Sequence, residues 1–301
     1  MFLLKVLILA IVQGLAELLP VSSSAHVVVA EKLLGLDPSS PAMTLVLVML
    51  HTGTMFAVIV YFWNQWKRSY FATGDAFARF AIRAIWATAL TAIIGYPIIK
   101  VIEKTAFKGL PKAEIEMLFS RLDLVGTALF AAGLLILFAG LKERGEEKSQ
   151  TLAYERAASR SGDNVTFGQA GWMGAVQGLC LPFRGFSRSG ATISTGMLVG
   201  AQRERAERFS FALAVILTPP VIAREVLRLL KASHEATAAG TSIDLHSSLV
   251  YSLIGMVLSF FAGLAALKWL SSWLEAGRWW LFGIYCIVAS VGVLFLHHIG
   301  Y

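Results

Sequence analysis

Val12-Gln13-Gly14-Leu15-Ala16-Glu17-Leu18-Leu19-Pro20-Val21-Ser22-Ser23-Ser24-Ala25-His26 reads as an apolar helix that breaks at a proline and restarts on serines. The same plan recurs at Val176-Gln177-Gly178-Leu179-Cys180-Leu181-Pro182-Phe183-Arg184-Gly185-Phe186-Ser187-Arg188-Ser189-Gly190. Each copy runs Val-Gln-Gly-Leu, then a proline, then clustered serines. The first carries a carboxylate and a histidine, the second an arginine among its serines. Ionisable groups inside apolar sequence are costly, which marks both stretches as functional candidates.

The sequence around them belongs in a bilayer. Of 301 residues, 56% are hydrophobic and 15% charged, with mean hydropathy +0.67; a soluble domain carries about 25% charged residues. Long apolar runs without strand-like alternation point to helices rather than a barrel. The excess of 26 Lys+Arg over 19 Asp+Glu, a formal +7, belongs in loops and sets orientation; it does not argue for nucleic acid. Cys180 and Cys286 lie in apolar segments at no metal-binding spacing and read as structural. Lys5 followed by Val6 to Val12 imitates a signal peptide. No small-residue cleavage site follows, and Gln13 and Glu17 stand where cleavage would fall, so the stretch is expected in the mature protein.

Six runs are long enough to cross, near 42–62, 80–102, 122–141, 208–230, 248–270 and 279–298. Trp63, Trp66, Trp269, Trp273, Trp279 and Trp280 stand at their ends and are expected in interfacial belts. Pro219-Pro220 predicts a kink in the fourth run, and Arg224 is expected to snorkel. The opening stretch divides into arms near 2–18 and 24–35. The region 167–201 divides likewise, with its second helix expected over 191–201. Neither pair is long enough to cross twice, so each reads as a re-entrant hairpin; the competing reading of 1–35 is one span with a polar kink. The expected fold is an all-α integral membrane protein with six transmembrane helices and two re-entrant helical hairpins. Repeat one covers 1–141, a cytoplasmic loop 142–166, and repeat two 167–301. A hairpin returns to its own side and three spans change sides, so the second repeat is inverted relative to the first.

Loop charge orients the chain. Lys67, Arg68, Arg79, Lys142, Arg144, Lys148, Arg156, Arg160, Arg203, Arg205, Arg208, Lys268 and Arg278 fall on one side. The other side holds Lys32, Lys104, Lys108, Lys112, Arg121, Arg228 and Lys231. The richer side is expected to be cytoplasmic. Hairpin one and both termini then face outward.

Gln13 and Glu17 share one helix face, which must meet water, a cation or a polar partner. Ser22, Ser23 and Ser24 suit the cap of the next arm, and Ser23 and His26 become neighbours once that arm begins. His26 could then take a proton from Ser23 or from a water. In the second hairpin, Ser187-Arg188-Ser189-Gly190 precedes a helix and combines a helix N-terminus, hydroxyls, a glycine and a guanidinium. That is a phosphate cradle by composition, and Thr192 could add a hydroxyl. His51 could line the same cavity or serve only as a structural hydrogen-bonder.

At these residues the chain resembles the undecaprenyl pyrophosphate phosphatases, the BacA or UppP family linked to bacitracin resistance. The likeness spans nearly the whole chain. It is most specific at Gln13-x-x-x-Glu17 with Pro20-Val21-Ser22-Ser23-Ser24-Ala25-His26, and at Gly185-Phe186-Ser187-Arg188-Ser189-Gly190-Ala191-Thr192. The family usually has proline where this chain has Arg184. The extra arginine could bind a lipid phosphate or face the cytoplasmic interface. The resemblance implies hydrolysis of undecaprenyl pyrophosphate to the monophosphate, which recycles the lipid carrier for wall synthesis. It implies the bacterial inner membrane, a periplasmic active site and a divalent cation, magnesium or calcium. Polyprenyl pyrophosphate and membrane lipids are the expected partners, with room for a homodimer.

In the resulting scheme Arg188 with Ser187, Ser189, Gly190 and Thr192 holds pyrophosphate. Glu17 and Gln13 hold the cation. His26 activates Ser23 or a water. Two other readings compete. A type 2 phosphatidic acid phosphatase needs a histidine six residues after the Ser-Arg arginine, where this chain has Ser194. A polyprenyl-phosphate transporter or flippase could use the same inverted scaffold.

Overall fold

The computed structural model describes residues 2–36, 41–106, 118, 121–149, 164–238, 245–274 and 278–301. Among these there are ten α-helices and no strand: α1 (Phe2–Leu18), α2 (Ser23–Leu33), α3 (Pro41–Ser69), α4 (Gly74–Ala106), α5 (Leu122–Ser149), α6 (Phe167–Cys180), α7 (Arg188–Leu198), α8 (Arg203–Ala238), α9 (Leu245–Leu274) and α10 (Trp279–His298). Six of them, α3, α4, α5, α8, α9 and α10, carry segments long and apolar enough to cross a membrane. They follow the order expected from the sequence, and the chain is a multi-pass membrane protein.

The helices outrun the apolar runs. α5 continues through Lys142–Ser149, which had been expected to be loop. Its Lys, Glu and Arg residues are good helix formers, so polarity there ends the apolar segment without ending the helix. Residues 150–163, with Arg156 and Arg160, lie outside the described residues. So do Lys108 and Lys112 and the side chains of Lys148, Arg228, His234, His246 and Trp273. α8 is continuous through Pro219 and Pro220. α7 begins at Arg188, one turn earlier than expected.

The four short helices come in two pairs. α1 and α2 have 17 and 11 residues, α6 and α7 have 14 and 11. At about 1.5 Å per residue none reaches the roughly 30 Å of a hydrocarbon core. Thr166 and Gln169 form a capping box that starts α6. The Gln169 side-chain amide also donates to Val199 O at 3.3 Å. The start of α6 and the end of α7 therefore lie together. Phe2 and Val6 of α1 share an apolar cluster with Ala30 and Leu34 at the end of α2.

Each pair packs on a long helix from the other half of the chain. α1 lies against α9, and α6 against α4. The Val-Gln-Gly-Leu glycines permit this. A Cβ on Gly14 would lie 3.0 Å from the Gly263 backbone nitrogen, and one on Gly178 would lie 2.9 Å from the Thr91 carbonyl. α10 packs along α5, α3 along α8 and α9, and α7 between α5 and α8. The main core gathers Leu18, Val21, Phe62, Leu129, Ile136, Met173, Phe209 and Trp279 around the turns of the two short pairs. Exposed Ile85, Ile93, Val101, Phe138, Val288 and Phe295 coat the outside, as a lipid-facing surface requires.

Two of the tryptophans expected in belts are internal. Trp66 is buried and donates to Arg208 O at 3.2 Å. Trp279 is buried and donates to Ser194 Oγ at 3.0 Å. Each indole N–H found a polar partner in the bundle, which lets the ring serve as core. Trp63 and Trp269 are exposed.

Candidate active site

The turns of the two short pairs meet. Gly185 N donates to Ser24 Oγ at 3.3 Å. A Cβ on Gly190 would lie 3.1 Å from Pro20 O. The turn after α1 is strained: Ser22 has φ 66 and is the one non-glycine residue at positive φ among the described residues. Its hydroxyl caps α2 by accepting from Ala25 N at 3.4 Å. Gly185 has φ +100, a conformation suited to glycine, and a Cβ there would strike the Val125 backbone.

Glu17, on the last turn of α1, is the hub. Its Oε1 accepts from Arg188 Nη2 at 2.8 Å. Its Oε2 accepts from Gln13 Nε2 at 2.9 Å and from the Ser23 hydroxyl in a short hydrogen bond. His51 Nε2 lies 3.4 Å from the same oxygen and makes an ion pair whenever the ring is protonated. The Glu17 and Arg188 side chains are 12% and 32% exposed, so the pair sits at the edge of an opening rather than in sealed core. Arg188 opens α7, and Ser187 caps it by accepting from Gly190 N at 3.2 Å. The N-terminal end of that helix, with its positive macrodipole end, therefore faces the Glu17 cluster.

These groups line a cavity of about 500 Å³, within the range of small-ligand sites. Polar lining comes from Glu17, Ser22, Ser23, Ser24, His51, Gln177, Ser187, Arg188 and Ser189. Apolar lining comes from Leu47, Val48, Met55, Val58, Ile99, Phe183, Phe186, Phe211, Val215, Val221 and Ile222. Arg184 and Arg224 also line it, which sets three arginines against one carboxylate. The cavity suits an amphiphile with an anionic head.

Several expected site residues sit elsewhere. Gln13 is fully buried behind Glu17; its Oε1 has no hydrogen-bond partner. Thr192 is fully buried, and its hydroxyl is used on Arg188 O at 2.8 Å and Ser210 Oγ at 2.6 Å. Gly190 is buried against Ile136 and Pro20. Neither Gly190 nor Thr192 lines the cavity; both position α7. The expected pairing of His26 with Ser23 is not the one present. His26 Nδ1 bonds Ser22 O at 2.8 Å, its Nε2 bonds Tyr285 Oη at 2.7 Å, and Ser23 turns to Glu17. Both residues stand in α2 at the expected spacing, but Glu17 of α1 and Tyr285 of α10 supply the partners instead. Arg184 and Arg224 both line the cavity, the position expected of Arg184 as a lipid-phosphate ligand.

Sequence reasoning left His51 open and missed Tyr285. Nothing local marks either one, because their partners lie 34 and 259 positions away for Glu17–His51 and His26–Tyr285. Gln177 was visible as the counterpart of Gln13. It lines the cavity with its Nε2 donating to Thr91 Oγ1 at 3.0 Å.

Comparison with known proteins adds a family. Residues 6–292 match the model of the family described as bacitracin resistance protein BacA. The chain is 55% identical over 296 residues to undecaprenyl-diphosphatase 2 of Acinetobacter baylyi, covering 98% of each chain. It is 32% identical over 301 residues to undecaprenyl-diphosphatase of Desulfatibacillum aliphaticivorans, covering 97% of each. A third relative, undecaprenyl-diphosphatase of Rhodopirellula baltica, is 30% identical over 297 residues with 98% of each covered.

Proposed function

The chain belongs to the bacitracin resistance protein BacA family, and on that premise we propose that it hydrolyses undecaprenyl pyrophosphate to undecaprenyl phosphate and inorganic phosphate. The activity recycles the lipid carrier of wall synthesis and so underlies bacitracin resistance. The observation that carries the assignment of the site is the Arg188–Glu17–Ser23 constellation on an amphiphilic cavity. A transporter reading has no support in these findings.

Arg188, the first-turn amides of α7 and the Ser187 and Ser189 hydroxyls bind the terminal phosphate. The isoprenoid chain lies along the apolar wall. Ser23 Oγ attacks the terminal phosphorus as its proton passes to Glu17 Oε2. The bond from that phosphorus to the bridging oxygen breaks, and its electron pair leaves on undecaprenyl phosphate. Water then attacks the phosphoserine phosphorus, the P–Oγ bond breaks, Glu17 returns its proton to Ser23 Oγ, and inorganic phosphate leaves with the water's oxygen and protons. Arg188 meets the charge that develops on the transferred group, the largest contribution in reactions of this class. His26 has no part in these transfers, because both of its ring nitrogens are engaged.

A divalent cation, magnesium or calcium, is proposed from the family. The Glu17 carboxylate on the cavity is a hard oxygen donor that would hold it, with substrate oxygens and water completing the shell; Gln13, buried behind Glu17 with its Nε2 on the carboxylate and its Oε1 unpartnered, would have to move to join it. When bound, such an ion offsets phosphate charge and polarises the phosphoryl oxygens.

The short pairs are assigned as re-entrant hairpins and the two halves as an inverted repeat, 1–141 and 167–301. Supporting this are the closure of α6 and α7 at Gln169 and Val199, and the reciprocal packing of α1 on α9 and α6 on α4. A bacterial inner membrane, with the cavity facing the periplasm, is the location proposed from the family; the uneven loop charge supports that orientation. The test is phosphate release from undecaprenyl pyrophosphate by purified protein in detergent, with magnesium, with calcium and with chelator. Metal-dependent release, abolished in Ser23→Ala, is expected. A fully active Ser23→Ala protein would overturn the serine as nucleophile; a well-folded wild type without release would overturn the activity.

A further inference from the structure

His26 was expected to be a base, yet its surroundings leave it no proton to take. The cavity is lined by Ser22, Ser23 and Ser24 but not by His26. Ser22 O can only accept, so His26 Nδ1 carries the proton and donates it at 2.8 Å. Nε2 of that neutral tautomer accepts from Tyr285 Oη at 2.7 Å. The two rings are also stacked, 5.7 Å apart and 8° from parallel. Tyr285 stands on the outer face of α10 beside exposed Ile284 and Val288. In that apolar setting its hydroxyl must find a protein acceptor.

The carbonyl held by His26 belongs to the strained residue. Ser22 occupies the left-handed region, which is costly for a non-glycine residue and persists only where neighbours impose it. A second contact from α10 reaches the same turn, with Cys286 Sγ donating to Pro20 O at 3.5 Å. Adjacent residues of one helix thus restrain both sides of the turn that carries Ser23. Resting on the phosphatase reading above, we propose that His26 and Tyr285 form a positioning brace. It anchors the Ser22 turn to α10 and aims the Ser23 hydroxyl at Glu17 and the cavity. His26 is a positioning residue for the nucleophile, and Tyr285 fixes its tautomer.

The discriminating variant is His26→Asn, since an asparagine amide can replace the Nδ1–H donor but cannot act as an imidazole base. Variants are purified full length, checked for monodispersity and melting, and assayed for phosphate release. His26→Ala is expected to lower kcat at least about 100-fold with KM within about threefold, the scale of a misplaced reacting group. His26→Asn is expected to recover to within about tenfold of wild type, and to keep the acid limb of the kcat–pH profile. Tyr285→Phe, which removes one hydrogen bond, is expected to lower kcat about fivefold without changing KM. A His26→Asn protein as inactive as His26→Ala overturns the brace in favour of a base, and so does loss of the acid limb. An unaffected Tyr285→Phe overturns the part assigned to α10. Nitrogen NMR of histidine-labelled protein, assigned by the signal missing in His26→Asn, gives a readout independent of turnover. A neutral Nδ1–H tautomer whose Nε2 resonance moves in Tyr285→Phe is expected; an Nε2–H tautomer overturns the proposal. An inactive wild type with the expected tautomer would instead count against the phosphatase reading alone.

Discussion

Glu17→Gln separates a catalytic carboxylate from a structural ion pair. Glu17 receives Arg188 at 2.8 Å, Gln13 at 2.9 Å and the Ser23 hydroxyl, and it faces His51 at 3.4 Å. A glutamine of the same shape keeps one acceptor and turns the other into a donor. Placed toward Arg188, the remaining oxygen keeps that contact, but the new NH₂ then meets Gln13 Nε2 and the Ser23 hydroxyl. Ser23 loses its proton acceptor. Loss of a positioned base costs about 10²–10⁴ in rate. With the altered charge beside Arg188 we expect about 10³–10⁴ in kcat, or roughly 4–5 kcal/mol at about 1.36 kcal/mol per decade. Stability should respond differently. Neutralising the carboxylate removes its desolvation cost, and Arg188, 32% exposed, can turn to water in the cavity. We expect a change within about 1 kcal/mol, in contrast to the roughly 3–5 kcal/mol typical when a fully buried pair is broken. The assay is phosphate release in detergent beside thermal unfolding of the same preparation. A Glu17→Gln protein within tenfold of wild-type kcat would refute the assignment of Glu17 as proton acceptor. A melting point lowered by many degrees would show that the carboxylate holds the fold together.

Arg188→Lys keeps the charge but loses the planar fork, so kcat is expected to fall about 10–100-fold, and Arg188→Ala about 10³-fold or more; equal kinetics for the two would show that charge alone matters. Thr192→Val leaves the buried Ser210 hydroxyl without its 2.6 Å partner. It should cost about 1–3 kcal/mol of stability while KM stays within about threefold, and a large KM change would return Thr192 to the binding site. Gly178→Val brings a side chain against the Thr91 carbonyl, 2.9 Å from the first new carbon. It should destabilise by about 1–3 kcal/mol as overpacking does, and an unchanged melting point would contradict the close packing of α6 on α4.

Much of this protein follows from one-dimensional pattern. A bilayer demands about 20 apolar residues per crossing, so six spans stood out as runs. Backbone breaks in apolar sequence are tolerated only where buried or wet, so Pro20 and Pro182 with their serines announced the two short helix pairs. Glu17 and Arg188 were visible for the same reason, since charge in such a setting needs a purpose. Which atoms meet was not legible. Glu17 meets Arg188 across 171 positions and His26 meets Tyr285 across 259, and no local spacing encodes either contact. Ser23 turns to Glu17 and His26 to Tyr285 although α2 sets the two residues three apart in regular helix, because α1 and α10 bring those partners within reach. Arg184 read as either a lipid-phosphate or an interface residue and Arg224 as a snorkelling one, and only the fold brought both to one cavity. Sequence thus determined which groups are too polar for their surroundings. Tertiary packing alone decided their partners, because hydrogen-bond geometry is set by the distances between helices far apart in the chain.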